Sequence, residues 1–376
     1  MFAKKLRRAL YGLWGAVILL GAGDAFAGFG ELNMTPGVSE TSHDVYHLHM
    51  LVFEICVVVC VGVFAVLIYS IIKHRKSKGA KPASFHESTT IEIIWTTIPF
   101  LVLVGIAIPA TKTLLALEDT RNADMTIKIT GYQWKWKYDY LDQGISFFSN
   151  LSTPRAEIEN KEAKGEDYLE EVDNPVVVPI HKKIRFLVTS NDVIHSWWVP
   201  ALGWKQDAVP GFINDAWTDI DTPGTYRGRC AELCGKDHGF MPIVLVAKTE
   251  KDYEAWAAQQ KAAEAKASAV PTRKMTKEEL MADGDKIYHK ICAACHQPTG
   301  QGIPGVFPAL AGSKIANGPL ADHIHIVLHG KPGTAMQAFG EQLSVTDIAS
   351  VITYERNSFG NHTGDVVQPS DVAAAK

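Results

Sequence analysis

Six residues in the middle of the chain combine the side-chain types that bind soft metal ions. They stand in the strings NDVIHSWWVP and CAELCGKDHGFM, and they are His195, Cys230, Glu232, Cys234, His238 and Met241. Thiolate, imidazole and thioether groups together suit copper. Two cysteines four positions apart can bridge two copper ions through both sulfurs, which leaves one histidine for each ion. Met241 and a backbone carbonyl between the cysteines can complete the coordination, so the pattern predicts a one-electron carrier with no open position for a substrate.

Other kinds of site use parts of this pattern. A lone Cys-x3-Cys is often a disulfide, a zinc half-site or a redox pair in an exported domain. A blue-copper site uses a single cysteine with histidine and methionine, and a thioredoxin-like metallochaperone offers Cys-x3-Cys with a distant histidine. Such a chaperone has no need of His238 and Met241 within one short stretch, so the full spacing favours copper.

A second motif lies nearer the C-terminus. Cys292-Ala-Ala-Cys295-His296 is the pattern that attaches haem c, with two thioether bonds and a proximal histidine. Met336 is the only methionine C-terminal to His296, and a Met/His ligand pair raises the haem potential relative to a pair of histidines. The competing sixth ligands are His323, His325 and His329.

Membrane segments precede both motifs. Of the 376 residues, 47% are hydrophobic, and the net charge of −4 gives no sign of nucleic-acid binding. Basic residues, an apolar run and Ala25-Phe26-Ala27 predict a cleaved export signal. Met50 to Ile72 and Ile91 to Leu117 are each long enough to cross a bilayer. The basic loop between them predicts a hairpin whose two ends face outward, and Cys56 and Cys60 in its first helix are packing residues.

The remaining sequence divides into three parts. Short alternating strands from Met125 predict an all-β sandwich, in which the acidic stretch Glu157 to Asp173 is a solvated loop or, alternatively, a docking patch for a basic protein. A helical linker rich in Ala, Lys and Glu follows, then an all-α haem domain and a frayed end. The predicted boundaries are a signal peptide at 1–27, a transmembrane hairpin at 28–120, the β domain at 121–250, a linker at 251–275, the haem domain at 276–361 and a tail at 362–376.

From about Asp44 to Lys248 the chain resembles subunit II of cytochrome c oxidase, whose copper-A domain is a cupredoxin-like sandwich. The resemblance rests on the hairpin and on the two strings that hold the six metal-binding residues. It implies that Cys230 and Cys234 bridge two coppers, that His195, His238 and Met241 are terminal ligands, and that the backbone carbonyl of Glu232 binds one copper. It also implies that the Glu232 carboxylate joins a magnesium site shared with subunit I.

Two further roles follow from the same resemblance. Trp134, in GYQWKWKYDY, matches the tryptophan that receives electrons from cytochrome c, although the family often has tyrosine where this chain has Lys135. Ordinary sandwich packing is the alternative for Trp134. Glu92 matches a carboxylate at the mouth of a proton channel into subunit I, and the alternative is a carboxylate that merely reaches the membrane surface. Glu54, in the first helix, has no assigned role.

The C-terminal region resembles a class I cytochrome c, a domain fused to subunit II in some bacterial oxidases. The sequence therefore predicts a proton-translocating cytochrome c oxidase subunit in the bacterial inner membrane, with its domains on the periplasmic side and subunits I and III and a cytochrome c donor as partners. Haem c and dinuclear copper are the expected cofactors; oxygen is reduced in subunit I, not in this chain. The alternatives are a quinol oxidase subunit, a copper-A nitric oxide reductase subunit, and a tethered electron carrier or copper-delivery protein without an oxidase partner.

Overall fold

The computed structural model describes residues 33–81, 86–268, 270–271 and 273–376. The predicted signal peptide at 1–27 lies outside the described residues. Along the described chain, two long apolar helices are followed by a β-sandwich, a connecting helix and a C-terminal helical unit.

The two apolar helices are α1 (Glu40–Lys73) and α2 (Thr89–Leu117), and each is long and apolar enough to cross a membrane. Most of their side chains are exposed in the isolated chain, as expected of helices whose natural neighbours are lipid or another subunit. The predicted spans are confirmed in position, but α1 begins ten residues before Met50. Its N-cap is Ser39, which forms a reciprocal capping box with Ser42.

The outer ends of both helices are bonded to the sandwich. At the start of α1, the Glu40 amide donates to the Asp219 carboxylate over 3.1 Å. At the end of α2, the Trp217 indole donates to the backbone carbonyl of Ala116 over 3.0 Å. These bonds tie the β domain to the outer face of the hairpin.

The sandwich has ten strands: β1 (Met125–Tyr132), β2 (Lys135–Tyr140), β3 (Ile145–Ser149), β4 (Val176–Pro179), β5 (Lys183–Ser190), β6 (His195–Trp198), β7 (Lys205–Ala208), β8 (Asn214–Asp219), β9 (Gly224–Cys230) and β10 (Pro242–Lys248). They form two five-stranded sheets, ordered β3-β2-β1-β5-β8 and β4-β10-β9-β6-β7. Strand β1 pairs in parallel with β5, and β10 in parallel with β4; the other pairs are antiparallel. The predicted cupredoxin-like sandwich is confirmed.

Aromatic side chains fill the space between the sheets. Phe186 from β5 and Trp197 from β6 stack with ring centroids 5.5 Å apart, and Trp204 stacks on Trp197 at 5.2 Å. Along β5, buried and partly exposed residues alternate, because successive side chains of a strand point to opposite faces of the sheet. This rigid core holds β6 and β9, the two strands from which the metal-binding residues project.

The acidic stretch of 157–173 follows the short helix α3 (Arg155–Ile158) and lies against β9. Arg227 pairs with Asp167 and Glu171, and Arg229 pairs with Glu170 over 2.7 Å. Part of its negative charge is therefore neutralised within the sandwich, which neither the solvated-loop interpretation nor the docking-patch interpretation anticipated.

The predicted linker contains α4 (Glu250–Ser268), whose first turns belong to the sandwich. Tyr253 and Ala257 are buried in the sandwich core, and Trp256 packs on Tyr140 with ring centroids 5.3 Å apart. Composition alone does not reveal this, because Tyr253, Trp256 and Ala257 form a narrow apolar stripe among polar residues.

The C-terminal unit consists of α5 (Lys277–Ile287), a π-helical turn at Tyr288–Cys292, α6 (Ala293–His296), α7 (Leu320–His329), α8 (Val345–Asn357) and α9 (Pro369–Ala375). Helices α5 and α8 cross closely at Gly284, where an added Cβ would lie 2.2 Å from the Ser350 carbonyl oxygen. The expectation of a frayed end is wrong: Val367 and Val372 are fully buried against this core, so the last residues close it.

Candidate metal centre and haem site

The metal-binding residues come together at one end of the sandwich. His195 begins β6, Cys230 ends β9, and the loop after Cys230 returns to β10. The loop is closed by the Cys230 amide, which donates to the Met241 carbonyl over 3.0 Å, and the Ala231 amide ties it to Ser196 of β6 over 2.9 Å.

Four donor atoms form a compact cluster. His195 Nδ1 lies 3.9 Å from Cys230 Sγ, the two sulfurs lie 3.8 Å apart, and Cys234 Sγ lies 3.5 Å from His238 Nδ1. The donor atoms of His195, Cys230 and Cys234 all lie within 4.8 Å of one another. Metal–sulfur bonds of about 2.3 Å can span two sulfurs at this separation from either side, so the residues fit two bridged ions.

The other two predicted ligands lie at the same loop. The Glu232 carbonyl oxygen is 3.3 Å from Cys230 Sγ, while the residue itself is exposed. Met241 is fully buried at the start of β10. The structure thus brings all six predicted copper residues to one loop and one strand end.

The hydrogen bond between the two cysteine side chains shifts their pKa values in opposite directions. A hydrogen bond from the Cys234 thiol, with help from His195, lowers the pKa of Cys230 to about 3. The pKa of Cys234 is raised, because a second thiolate would lie directly beside the first. A cation that binds both sulfurs removes this conflict, since metal ligation deprotonates the coordinating thiol.

Three residues that the sequence analysis did not single out shape this site. Asp192 accepts a hydrogen bond from His195 Nε2 over 2.9 Å, which leaves Nδ1 facing the sulfurs. Burial lowers the pKa of His195, but the carboxylate more than compensates and the pKa is raised. Gly131 leaves room for the imidazole, because an added Cβ would lie 2.7 Å from His195 Cδ2. Trp136 packs edge-on against the same ring. Asp192 stands three positions before His195, a spacing that carries no general signal.

Trp134 is bonded to the metal loop. Its indole N–H donates to the Cys234 carbonyl over 3.1 Å, and the side-chain amide of Gln133 donates to the same oxygen over 2.9 Å. Gly235 permits this approach: its φ is 122°, and an added Cβ would lie 2.9 Å from the Trp134 ring. This contact distinguishes Trp134 from an ordinary packing residue.

The haem motif occupies the π-helical turn and α6. His296 Nδ1 donates to the Pro308 carbonyl over 2.9 Å, and a carbonyl can only accept, so Nε2 is free to bind iron. Cys292 and Cys295 are free thiols on the same helical segment. These residues fit a covalently attached haem with a proximal histidine.

The structure separates the candidates for the sixth ligand. His323 is buried with its Nε2 2.9 Å from a Glu355 carboxylate oxygen. His325 and His329 are exposed and pack against each other, 4.7 Å between ring centroids. Met336 is partly buried in the loop between α7 and α8. The histidines are thus occupied or exposed, which favours Met336.

The candidate proton-channel residue lies in the second helix of the predicted hairpin. Glu92 lies in the first turn of α2 and is exposed in the single chain. Its position fits the predicted channel mouth, and also fits a carboxylate at a membrane surface.

Comparisons with known proteins cover all three units. The model for the transmembrane domain of cytochrome c oxidase subunit II matches residues 27–113, and the model for its periplasmic domain matches residues 125–248. The model for subunit III of cbb3-type cytochrome c oxidase matches residues 279–354.

Relatives of known name share the first two units. A probable cytochrome c oxidase subunit 2 of Rickettsia prowazekii is 39% identical over 229 residues, which are 61% of this chain and 72% of the relative. Cytochrome c oxidase subunit 2 of Cereibacter sphaeroides is 34% identical over 243 residues, 61% of this chain and 80% of the relative. The solved periplasmic domain of subunit II of cytochrome oxidase of Bradyrhizobium japonicum is 40% identical, with a TM-score of 0.34, over 38% of this chain and 97% of that one.

The fold and the site define an electron-transfer subunit with a transmembrane hairpin, a cupredoxin-like domain and a cytochrome c domain. The chain belongs to the cytochrome c oxidase subunit II family, whose members are subunits of haem–copper oxidases, and it carries an additional C-terminal cytochrome c domain.

Proposed function

We propose that this chain is the electron-input subunit of a proton-translocating cytochrome c oxidase. Electrons enter at the cytochrome domain, pass to a dinuclear copper-A centre in the sandwich, and continue to subunit I, where oxygen is reduced to water. The close grouping of the His195 and His238 nitrogens with the two sulfurs carries this proposal. Two coppers that share two thiolates supply a carrier that takes and gives one electron with little rearrangement.

Each protein group has a separate part in this proposal. Cys230 and Cys234 would hold both copper ions, His195 and His238 would bind one each, and Met241 and the Glu232 carbonyl would complete the ligand set. Asp192 fixes the His195 tautomer. Cys292 and Cys295 would attach haem c, with His296 and Met336 as the residues that would bind its iron. His195, Cys230, Cys234 and Met241 are buried, which limits the access of water to this part of the site.

Exposed apolar side chains in two loops of the sandwich support a partner that covers them. Leu233, beside Cys234 in the metal loop, is 79% exposed, and Phe212 and Ile213, between β7 and β8, are 67% and 63% exposed. Exposed apolar groups near one functional site are typical of a protein interface. We assign this surface to subunit I, with the exposed Glu232 carboxylate reaching a magnesium ion shared between the two subunits.

The remaining roles concern protons and location. We propose that Glu92 lies at the cytoplasmic mouth of a proton channel into subunit I, because it stands at the end of α2 that follows the basic loop. The same orientation places the sandwich and the cytochrome domain on the periplasmic side of a bacterial inner membrane. A cytochrome c donor and subunit III complete the proposed partners.

The copper stoichiometry tests the central part of the proposal. A fragment of residues 121–268, which retains the helix packed on the sandwich, is refolded with copper and measured by metal analysis and electron paramagnetic resonance. Two coppers per chain and a seven-line hyperfine pattern are expected for the mixed-valence state. One copper with a four-line pattern would contradict the bridged centre.

The partner and the reaction need the complete assembly. A tagged chain, solubilised in mild detergent, is expected to bring down a haem-bearing membrane subunit and to consume oxygen when supplied with reduced cytochrome c. Parallel assays with nitric oxide distinguish the reductase alternative. Isolation of the chain with copper and haem but with no membrane partner would favour a tethered carrier.

A further inference from the structure

Both residues that flank Trp134 are bonded to the cytochrome domain. The Gln337 amide donates to the backbone carbonyl of Gln133 over 2.9 Å. On the other side, Lys135 Nζ donates to the side-chain oxygen of Gln342 and lies 5.4 Å from the Phe339 ring centroid. The bonded segment, 337–342, comes directly after Met336.

The metal loop is bonded to the other side of the haem site. Lys236 stands two positions after Cys234, and its Nζ donates to the Ala294 carbonyl over 3.0 Å. Ala294 lies between Cys292 and Cys295 in the haem motif. The same ammonium group is 5.9 Å from the Trp134 ring centroid.

The sandwich therefore holds the two chain segments that carry the proposed haem ligands, through residues beside Trp134. We propose that Gln133, Lys135 and Lys236 form a docking surface for the cytochrome domain of the same chain, with Lys236 as the residue that positions the haem motif against the metal loop. This inference rests on the proposed passage of electrons from haem c to copper. The transfer that the surface serves moves one electron between the two domains, moves no proton and breaks no bond.

The acceptors explain why the surface fits this domain. Lys135 and Lys236 bond to a side-chain amide and a backbone carbonyl, both neutral, and the carbonyl is positioned by the backbone of the haem motif. A charge-assisted hydrogen bond is stronger than a neutral one and is directional. A soluble donor with a basic docking face would meet like charges at the same place, which is unfavourable. The surface around Trp134 thus serves the tethered domain, and an external donor delivers electrons to the cytochrome domain.

A point substitution in the assembled oxidase tests this role. Lys236→Met keeps the aliphatic stem and removes the hydrogen-bond donor, and Lys236→Arg restores a donor. Lys286→Met is the control, because Lys286 pairs with Asp283 inside the cytochrome domain. We measure hydrogen exchange of residues 293–296 and 337–342, and the rate of electron transfer from haem to copper after flash reduction. Gln342→Leu serves as a second variant that leaves the metal loop untouched.

Lys236→Met is expected to raise exchange in both segments and to slow the transfer by about tenfold, the equivalent of about 1.4 kcal/mol of docking free energy. The copper hyperfine pattern and the haem absorption band should stay as in the parent. Gln342→Leu should act in the same direction, and Lys236→Arg should recover most of the rate. Parent-like exchange and rates in both Lys236→Met and Gln342→Leu would overturn the docking surface. If no electron passes between haem and copper even in the parent, the proposed function fails. The hydrogen-exchange data still decide whether the surface docks the domain.

Discussion

The Asp192 carboxylate lies 2.9 Å from Nε2 of His195, on the side of the imidazole opposite the two sulfurs. The same carboxylate accepts a hydrogen bond from the backbone amide of Gln133 over 2.7 Å. It therefore joins the orientation of a metal-binding histidine to the backbone beside Trp134.

Asp192→Ala should weaken copper binding by about 10–100-fold, because groups that hydrogen-bond to metal-binding histidines have effects of this size. The measurement is copper retained during dialysis against a graded series of chelator concentrations. Asp215→Ala is the control, since Asp215 of β8 pairs with Arg185 of the neighbouring strand β5. Retention equal to that of the control would show that Asp192 does not orient the ligand.

Docking of the cytochrome domain should respond to alkaline pH through Lys135. Burial lowers the pKa of Lys135 from its ordinary value of 10.5 to about 8. Between these two values the undocked lysine binds a proton that the docked lysine has released, so the docked state gains stability as the pH rises. Below about pH 8 both states hold the proton, so the stability of the docked state no longer varies with pH through Lys135.

The measurement is the rate of electron transfer between haem and copper at high ionic strength, where the surface contacts are screened. The rate should rise between pH 8 and pH 10 in the parent and stay flat in Lys135→Met. A fall in rate over this range in the parent alone would contradict the assignment to Lys135. Lys137 does not produce this signal: burial lowers its pKa, but the hydrogen bond to Glu341 and the charges of Glu341 and Asp139 together outweigh burial, and the pKa is raised.

Met336→His should lower the haem reduction potential, because thioether ligation favours reduced iron relative to ligation by two histidines. Redox titration of the haem absorption band measures the potential, and the copper resonance serves as an internal control that should not change. An unchanged potential would mean that Met336 is not the sixth ligand. Exchange of His325 for alanine tests the nearest exposed alternative and should leave the potential as it is.

Glu92→Ala should slow turnover of the assembled oxidase without changing the rate at which copper is reduced. The reason is that Glu92 stands in the first turn of α2, the end proposed to face the cytoplasm, and is remote in sequence from every metal-binding residue. Stopped-flow reduction of copper and steady-state oxygen uptake are measured on the same preparation. Glu87→Ala, just outside the helix, is the control. Turnover equal to that of the control would identify Glu92 as a surface carboxylate.

Tyr253→Ala should destabilise the sandwich by about 3 kcal/mol, a value typical of a buried aromatic residue replaced by alanine. Tyr253 is 5% exposed, and its hydroxyl donates to Gln143 over 2.8 Å. Denaturant unfolding followed by near-ultraviolet circular dichroism measures the change, with the exposed Glu254→Ala as the control. Equal stability of the two variants would show that α4 is an independent connector.

Local patterns in the sequence predicted the fold class and the main residues of the site. The spacing of Cys230, Cys234 and His238 within one loop is a short-range constraint, and so is the haem motif. The transmembrane helices follow from the length of their apolar runs. Each of these features depends on residues close together in the chain, which is why sequence alone identifies it.

The features that sequence reasoning missed depend on contacts between distant segments. The contact of Trp134 with the Cys234 carbonyl joins residues a hundred positions apart. Lys236 lies within the metal-binding string, but nothing in the sequence connects it to Ala294, and only the folded chain brings the two together. The closing segment around Val372 was misjudged because two buried valines among alanines give little periodic signal.

The bonds between the hairpin and the sandwich have a consequence for biogenesis. The Glu40 amide and its acceptor Asp219 are 179 positions apart, and β8, which contains Asp219, must be exported before that bond can form. The metal loop emerges later still, after β9. Membrane insertion of the hairpin therefore precedes completion of the sandwich, and metallation comes after translocation. With the orientation proposed above, copper has to reach this subunit on the outer side of the membrane.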